Sequence, residues 1–178
     1  MSTQTESNWV EEVGSPAYAS IVEMVAALEC DYDRLEELRD ARDLFAKLDP
    51  DAEYRIKPEA LTAEEAEELM ELLEAAGEYT SQDEARERIQ EDALSVEMRG
   101  DWYPYDTEPV DAAKPVEFKI LIATGGPAVQ IRGELDEHGE PDRAWLEVQD
   151  WGKPWTQYFQ ADPDTLLAYA RCFCFGEG

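Results

Sequence analysis

The spacing of hydrophobic residues changes from a helical to a strand period near the middle of the chain. Between residues 15 and 93, apolar positions recur every three or four residues, which predicts amphipathic helices. Ser15-Pro16 supplies a cap and a first-turn proline for the first helix, and either Asp31 or Asp33 can begin the second. The first part of the chain therefore predicts a helical layer.

Two later helices begin with the same polar signature. Thr62 precedes Glu65 by three residues, the pattern of a capping box, and Gly77 ends this third helix. Ser81 and Glu84 repeat the pattern for a fourth helix that continues to about residue 93. The apolar residues that we expect on the core side of the third helix are Ala66, Leu69, Met70, Leu73 and Ala76.

Beyond residue 94, apolar and polar residues alternate, which predicts strands. The predicted strands cover residues 94–98, 116–122, 129–135 and 144–148. The turns at Thr124-Gly125-Gly126-Pro127 and at Asp136-Glu137-His138-Gly139 are short, so consecutive strands should pair antiparallel as a meander. Asp162-Pro163 then caps a closing helix.

These elements predict an α+β fold. It consists of an acidic N-terminal layer of about four helices, an antiparallel meander of three to four strands and a C-terminal helix. We divide the chain into a disordered N-terminus (1–14), an acidic helical region (15–93) and a meander with its closing helix (94–178).

Charge adds a clue that the folding pattern does not explain. The chain has 43 Asp and Glu against 15 Lys and Arg, a net charge of −28 on 178 residues. Residues 1–92 hold 27 of the acids and eight of the bases, so the excess is concentrated in the helices. Such a surface repels free nucleic acid and anionic membranes, and its natural partner is a basic protein.

The densest acidic stretch runs through the third helix and just past its end, over residues 64–78. Its glutamates are Glu64, Glu65, Glu67, Glu68, Glu71, Glu74 and Glu78, with no base among them. The stretch is about 21 Å long, or about one charge per 3 Å, close to the roughly 3.4 Å per phosphate of one DNA strand. We interpret it as a partner-binding surface that imitates phosphates; a solubilising face or adaptation to high salt is the alternative.

Aromatic residues cluster in two predicted loops. Trp102 and Tyr105 lie in the first loop, and Trp151 and Trp155 follow the last predicted strand. Loop aromatics are enriched in protein interfaces, so we include these four as candidate partner contacts. The alternative is that they cover the open face of the sheet.

Candidate catalytic and metal sites are weak. The single histidine, His138, lies at a predicted hairpin turn without a convincing nucleophile or acid partner. Calcium-binding loops that start at Asp31 or Asp49 lack the required glycine and glutamate. Three cysteines form neither a zinc pattern nor a disulfide framework. We therefore expect no cofactor, no metal and no enzymatic activity.

Targeting signals are also missing from the pattern. No apolar run approaches the roughly 20 residues that span a bilayer, and the N-terminal residues do not resemble a signal peptide. We expect a cytoplasmic protein in a bacterial host cell, with no membrane partner.

The second half contains four strings, Val-Glu-Met-Arg-Gly-Asp-Trp, Ile-Ala-Thr-Gly-Gly-Pro-Ala-Val, Gly-Glu-Leu-Asp-Glu-His-Gly and Gln-Asp-Trp-Gly-Lys-Pro-Trp. They resemble small uncharacterised proteins carried by bacterial phages and mobile elements. The overall acidic character resembles DNA-mimic anti-defence proteins, including antirestriction and anti-CRISPR proteins. The resemblance implies a setting and assigns no role to any residue.

These observations favour a non-enzymatic, acidic nucleic-acid mimic. It would block the basic DNA- or RNA-binding surface of a bacterial defence complex such as CRISPR-Cas or a restriction enzyme. An immunity protein or antitoxin that neutralises a basic nuclease toxin is the alternative, and a small enzyme with a pocket beside the sheet is a third class. A homodimer, which would lengthen the negative surface, is left open.

Overall fold

A computed structural model describes residues 3–46, 61–100 and 114–175, with side chains from residue 9 onward and not for 44–46. Its helices are α1 (Thr3–Glu29), α2 (Tyr32–Ala46), α3 (Ala63–Ala76), α4 (Gln82–Asp92) and α5 (Pro163–Ala170). Its strands are β1 (Ser95–Gly100), β2 (Pro115–Ala123), β3 (Ala128–Leu135), β4 (Pro141–Gln149) and β5 (Thr156–Tyr158). The predicted α+β class and order of elements are confirmed.

The chain divides into two compact units. Residues 1–25 and 86–178 form the sheet unit, and residues 26–85 form the helical unit. The first unit is built from both ends of the sequence, whereas the linear pattern placed boundaries at 14/15 and 93/94. The helical unit has its own core of Cys30, Leu35, Leu38, Leu69 and Ala76.

The sheet is an open antiparallel meander with its strands in chain order from β1 to β5. One row of paired residues crosses all five strands: Val96, Ile120, Ile131, Leu146 and Tyr158. The last four of these are buried, and this apolar face forms the core of the sheet unit. The fifth strand is only three residues long, and the alternation pattern did not predict it.

The closing helix α5 packs on β4 in the sheet unit. The side chain of Asp162 accepts a hydrogen bond from the Thr165 backbone N–H and Pro163 occupies the first turn, which confirms the predicted start. Tyr169 is fully buried and donates to Asp92 Oδ2 at 3.1 Å. Burial raises the pKa of this phenol well above its ordinary value, so it stays a hydrogen-bond donor.

The predicted start of the first helix is wrong. Helix α1 begins at Thr3 and contains Pro16, so residues 3–14 are helical where we expected disorder. Local signals favoured Ser15-Pro16 as a start because an interior proline removes a backbone hydrogen bond. Packing offsets that cost: Gly14 is buried against the Tyr158 ring, and the Trp9 ring lies 4.3 Å from Lys153 Nζ.

Individual hydrogen bonds show where α2 and α4 begin. Asp31, and not Asp33, begins α2, because its carboxylate accepts from the Arg34 N–H at 3.0 Å. Ser81 caps α4 as predicted, but the Glu84 carboxylate accepts from Thr80. The sequence Tyr54-Arg55-Ile56-Lys57, whose pattern predicts a short extended piece, lies outside the described residues.

Candidate functional site: the acidic faces of α2 and α3

The start of α3 uses one glutamate of the predicted acidic stretch as a structural cap. The Thr62 hydroxyl accepts from the Glu65 N–H at 3.1 Å, and the Glu65 carboxylate accepts from the Thr62 N–H at 2.8 Å. These hydrogen bonds lower the pKa of Glu65 because they favour its ionised form. The predicted capping box is confirmed, and Glu65 is occupied within the chain.

A second glutamate of the stretch, Glu68, pairs with an arginine of α2. Arg34 donates from Nε to Glu68 Oε1 at 3.0 Å and from Nη2 to Glu68 Oε2 at 2.8 Å, a bidentate geometry. This pairing lowers the pKa of Glu68, and both side chains are about one-third to two-fifths exposed. Sequence alone did not find the pair, since the partners lie 34 positions apart.

We expect Glu68→Gln to lower the melting temperature of the protein by a few degrees, because the bidentate ion pair holds α3 against α2. Since the folded-state pKa of Glu68 is depressed, this stabilisation is present above the ordinary glutamate pKa of about 4.3 and is lost as pH falls below it. Melting curves of both proteins should therefore converge at low pH. Equal melting temperatures at pH 7 would contradict the prediction.

The remaining glutamates of α3 form one exposed row. Glu64, Glu67, Glu71 and Glu74 are all exposed and lie at positions i, i+3, i+7 and i+10, within about a quarter of the helix circumference. None of them forms an ion pair or side-chain hydrogen bond with a residue that the structure describes. We call these four residues the α3 row. The seventh predicted residue, Glu78, is exposed but follows the helix end at Gly77.

The row is sparser than the sequence suggested. Its four carboxylates span about 15 Å, or about one charge per 5 Å, whereas one DNA strand carries a phosphate about every 3.4 Å. The apolar stripe is also rotated from the prediction: Leu69 and Ala76 are buried, but Met70 is 71% exposed and Ala66 is exposed. The core side of α3 includes Leu72, which the sequence analysis omitted.

Helix α2 repeats the same spacing, and the sequence analysis missed it. Asp33, Glu36, Asp40 and Asp43 are exposed at positions i, i+3, i+7 and i+10, and we call them the α2 row. Only Asp43 pairs with a described residue, Arg42, at 3.1 Å. The signal was present as the 3.6-residue period of acidic positions, but interspersed arginines concealed it.

Acidity is concentrated in the helical unit. Residues 26–85 contain 20 Asp and Glu against six Lys and Arg, a net charge of −14 and half of the −28 in one-third of the chain. The exposed face of the sheet, by contrast, has no excess of negative charge. Its carboxylates are Glu97, Glu117, Glu134 and Glu147, and its cations are Arg99, Lys119, Arg132 and Arg143. These eight charges cancel.

Cross-strand ion pairs organise that balanced face. Glu117 accepts from Arg132 at 3.0 Å and is also paired with Arg99, while Lys119 lies 2.9 Å from Glu97. A shallow groove of about 460 Å³ is lined by these charged residues and by Trp155. The groove lining contains three cations, Arg99, Lys119 and Arg132, and two carboxylates, Glu97 and Glu117, and each cation already has a carboxylate partner.

The candidate aromatic residues do not form one cluster in the described part of the chain. Trp151 is 79% exposed and its indole lies over Gly126, whereas Trp155 is 37% exposed and lines the groove on the balanced face of the sheet. Trp102 and Tyr105 lie outside the described residues. Phe159, also 79% exposed, is an aromatic that the sequence analysis omitted.

Groups that could support catalysis are not assembled among the described residues. These residues contain no cluster of three or more His, Cys, Asp or Glu side chains suited to a metal ion. His138 is exposed at the β3–β4 turn, and its nearest charged partner is Glu137 at 3.4 Å. Burial raises the pKa of the Cys30 and Cys172 thiols, which disfavours a reactive thiolate.

Comparisons with known proteins add no assignment: no family model matches this chain, and neither a curated protein nor a solved structure matches it. The resemblance to proteins of phages and mobile elements stays a prediction. No helix in the described ranges has the length and apolarity needed to cross a membrane.

Proposed function

We propose that this protein is a non-enzymatic inhibitor that presents the α2 row and the α3 row to the basic nucleic-acid-binding surface of another protein. The observation that carries the proposal is the repeat itself. Two helices of one unit place exposed carboxylates at the same four positions, and seven of the eight have no charged partner among the described residues.

Folding alone does not favour such rows. Like charges three or four residues apart destabilise a helix by about 0.2–0.5 kcal/mol per pair. The helix dipole compensates only the first-turn acids, Asp33 and Glu64. A basic partner that neutralises these carboxylates would explain why the helices keep rows of like charge that destabilise them.

The charge distribution also argues against general adaptation to high salt. Such adaptation acidifies whatever surface meets solvent, yet the exposed sheet face has equal numbers of carboxylates and cations. The helical unit carries half of the net charge on one-third of the chain, and such a local concentration of one sign of charge favours complementary binding. On the predicted resemblance to anti-defence proteins, the expected target is a bacterial defence complex such as CRISPR-Cas or a restriction enzyme.

The test is affinity capture by the immobilised protein from a nuclease-treated, defence-competent bacterial lysate, with bound proteins identified by mass spectrometry. We expect a nucleic-acid-binding subunit that is released by about 0.5–1 M salt, where the Debye length falls to a few ångströms, and displaced by duplex DNA or RNA. Capture of one small basic nuclease toxin would instead favour the immunity-protein function. A captured protein that neither salt nor nucleic acid displaces would contradict a phosphate-imitating surface.

A further inference from the structure

The β1 edge of the sheet is exposed and has no partner among the described strands. Strand β1 has six residues, whereas the opposite edge strand, β5, has three. No described strand pairs with the outer side of β1. Alternate backbone N–H and C=O groups of an edge strand point away from the sheet and can pair with another chain.

Apolar side chains accompany this edge on the core side of the sheet. Val96 pairs with the fully buried Ile120, and Met98 pairs with the buried Phe118, yet Val96 is 40% and Met98 54% exposed. Leu94, just before the strand, is 57% exposed. The apolar face of the sheet therefore extends to its β1 edge, where its side chains remain about half exposed.

The opposite side of β1 carries charges of alternating sign. Glu97 and Arg99 flank Met98, and their side chains are 58% and 69% exposed even though each has an ion-pair partner on β2. In the antiparallel direction, Glu97-Met98-Arg99 is complementary to itself. A two-fold axis at Met98 places Glu97 of one copy opposite Arg99 of the other, twice, and places the two Met98 side chains together.

Other registers are less favourable. An axis at Glu97 would bring the two Glu97 carboxylates face to face, and like charges directly opposite each other destabilise paired strands. An axis between Glu97 and Met98 would point paired side chains to opposite faces of the sheet, because side chains alternate along a strand. Among these registers, only the one centred on Met98 places opposite charges across the two copies, so the alternating charges favour it.

We infer that β1 is a homodimerisation edge, at which two copies pair antiparallel about Met98 and extend the sheet to ten strands. This inference is independent of the proposed function. It also predicts an opposite response to salt: two chains of net charge −28 repel each other, so added salt should strengthen the dimer, whereas it should weaken binding to a basic partner.

Two single charge reversals test the register. In Glu97→Arg each of the two pairs between copies joins two arginines, and in Arg99→Glu each pair joins two glutamates. Each variant alone should dimerise at least about tenfold more weakly than the unmodified protein. An equimolar mixture of the two variants should restore dimers, because each mixed pair again joins opposite charges at both positions.

Sedimentation velocity at several protein concentrations and at two salt concentrations gives the association constants. Thermal melting shows whether each variant is folded, and rescue by mixing excludes a folding defect as the cause of dissociation. A monomeric unmodified protein at all concentrations would overturn the inference. A dimer that neither reversal weakens, or variants that remain monomeric on mixing, would likewise show that this edge is not the interface.

Discussion

Replacing Glu67, Glu71 and Glu74 with lysine should weaken capture of the basic partner by at least about tenfold and leave the fold intact. Three reversals change the local charge by six units on one face of α3, and electrostatic steering alters association rates by about 10 to 10³. All three side chains are exposed and contact no described charged group, so the core of the helical unit should be unaffected. Glu68 is left unchanged because its pair with Arg34 joins α3 to α2.

The matched control reverses three exposed acids of the sheet unit. The variant Glu137→Lys, Glu140→Lys and Asp142→Lys makes the same change in net charge, but in the β3–β4 turn and at the start of β4. We expect it to retain most of the captured partner. If both triple variants lose the captured partner equally, net charge and not the α3 row controls binding. If the α3 variant captures the partner as well as the unmodified protein does, the α3 row is not the binding surface.

The largest effect on stability is expected at Gly133, in the middle of β3. A Cβ atom at this position would lie 2.1 Å from the Arg143 carbonyl oxygen and 2.3 Å from the Phe118 ring. We expect Gly133→Val to destabilise the protein by about 3 kcal/mol, because a backbone carbonyl on a paired strand has no free space into which to move. Urea unfolding, followed by tryptophan fluorescence, measures this change.

The neighbouring residue provides the control. Glu134 points to the balanced face of the sheet, where its only described ion-pair partner is Arg143 at 3.1 Å. Glu134→Ala should change the free energy of unfolding by less than about 1 kcal/mol, the usual range for an exposed pair. If Gly133→Val were no more destabilising than Glu134→Ala, the Phe118 ring would not occupy the space beside Gly133, and the packing of β2 on β3 would differ from this structure.

Several features were predictable because they depend on residues close together in the chain. The capping box of Thr62 and Glu65 needs only three-residue spacing and local backbone geometry. Alternation along β3 and β4 identified strands because one face must be buried. The two short turns then allowed only an antiparallel meander.

The candidate site was predicted in outline and corrected in detail. Seven acids on or beside one helix predicted an acidic surface, and the spacing of Glu65 from Thr62 also predicted the structural role of Glu65. The ion pair of Glu68 with Arg34 does not follow from helical spacing, so sequence could not separate Glu68 from the glutamates that face solvent. The α2 row became recognisable only when exposure was known for each acid.

The sequence by itself therefore determined the fold class, the order of the main elements, most caps and the location of the acidic excess, since these follow from local propensity and hydrophobic period. Tertiary structure decided which side of α3 is buried, since the helix turns Leu72 and not Met70 toward the core shared with α2. It also extended α1 through Pro16, because contacts with distant residues outweigh a local stop signal. Long-range packing is not encoded in any short window, and only the folded chain reveals which partners it brings together.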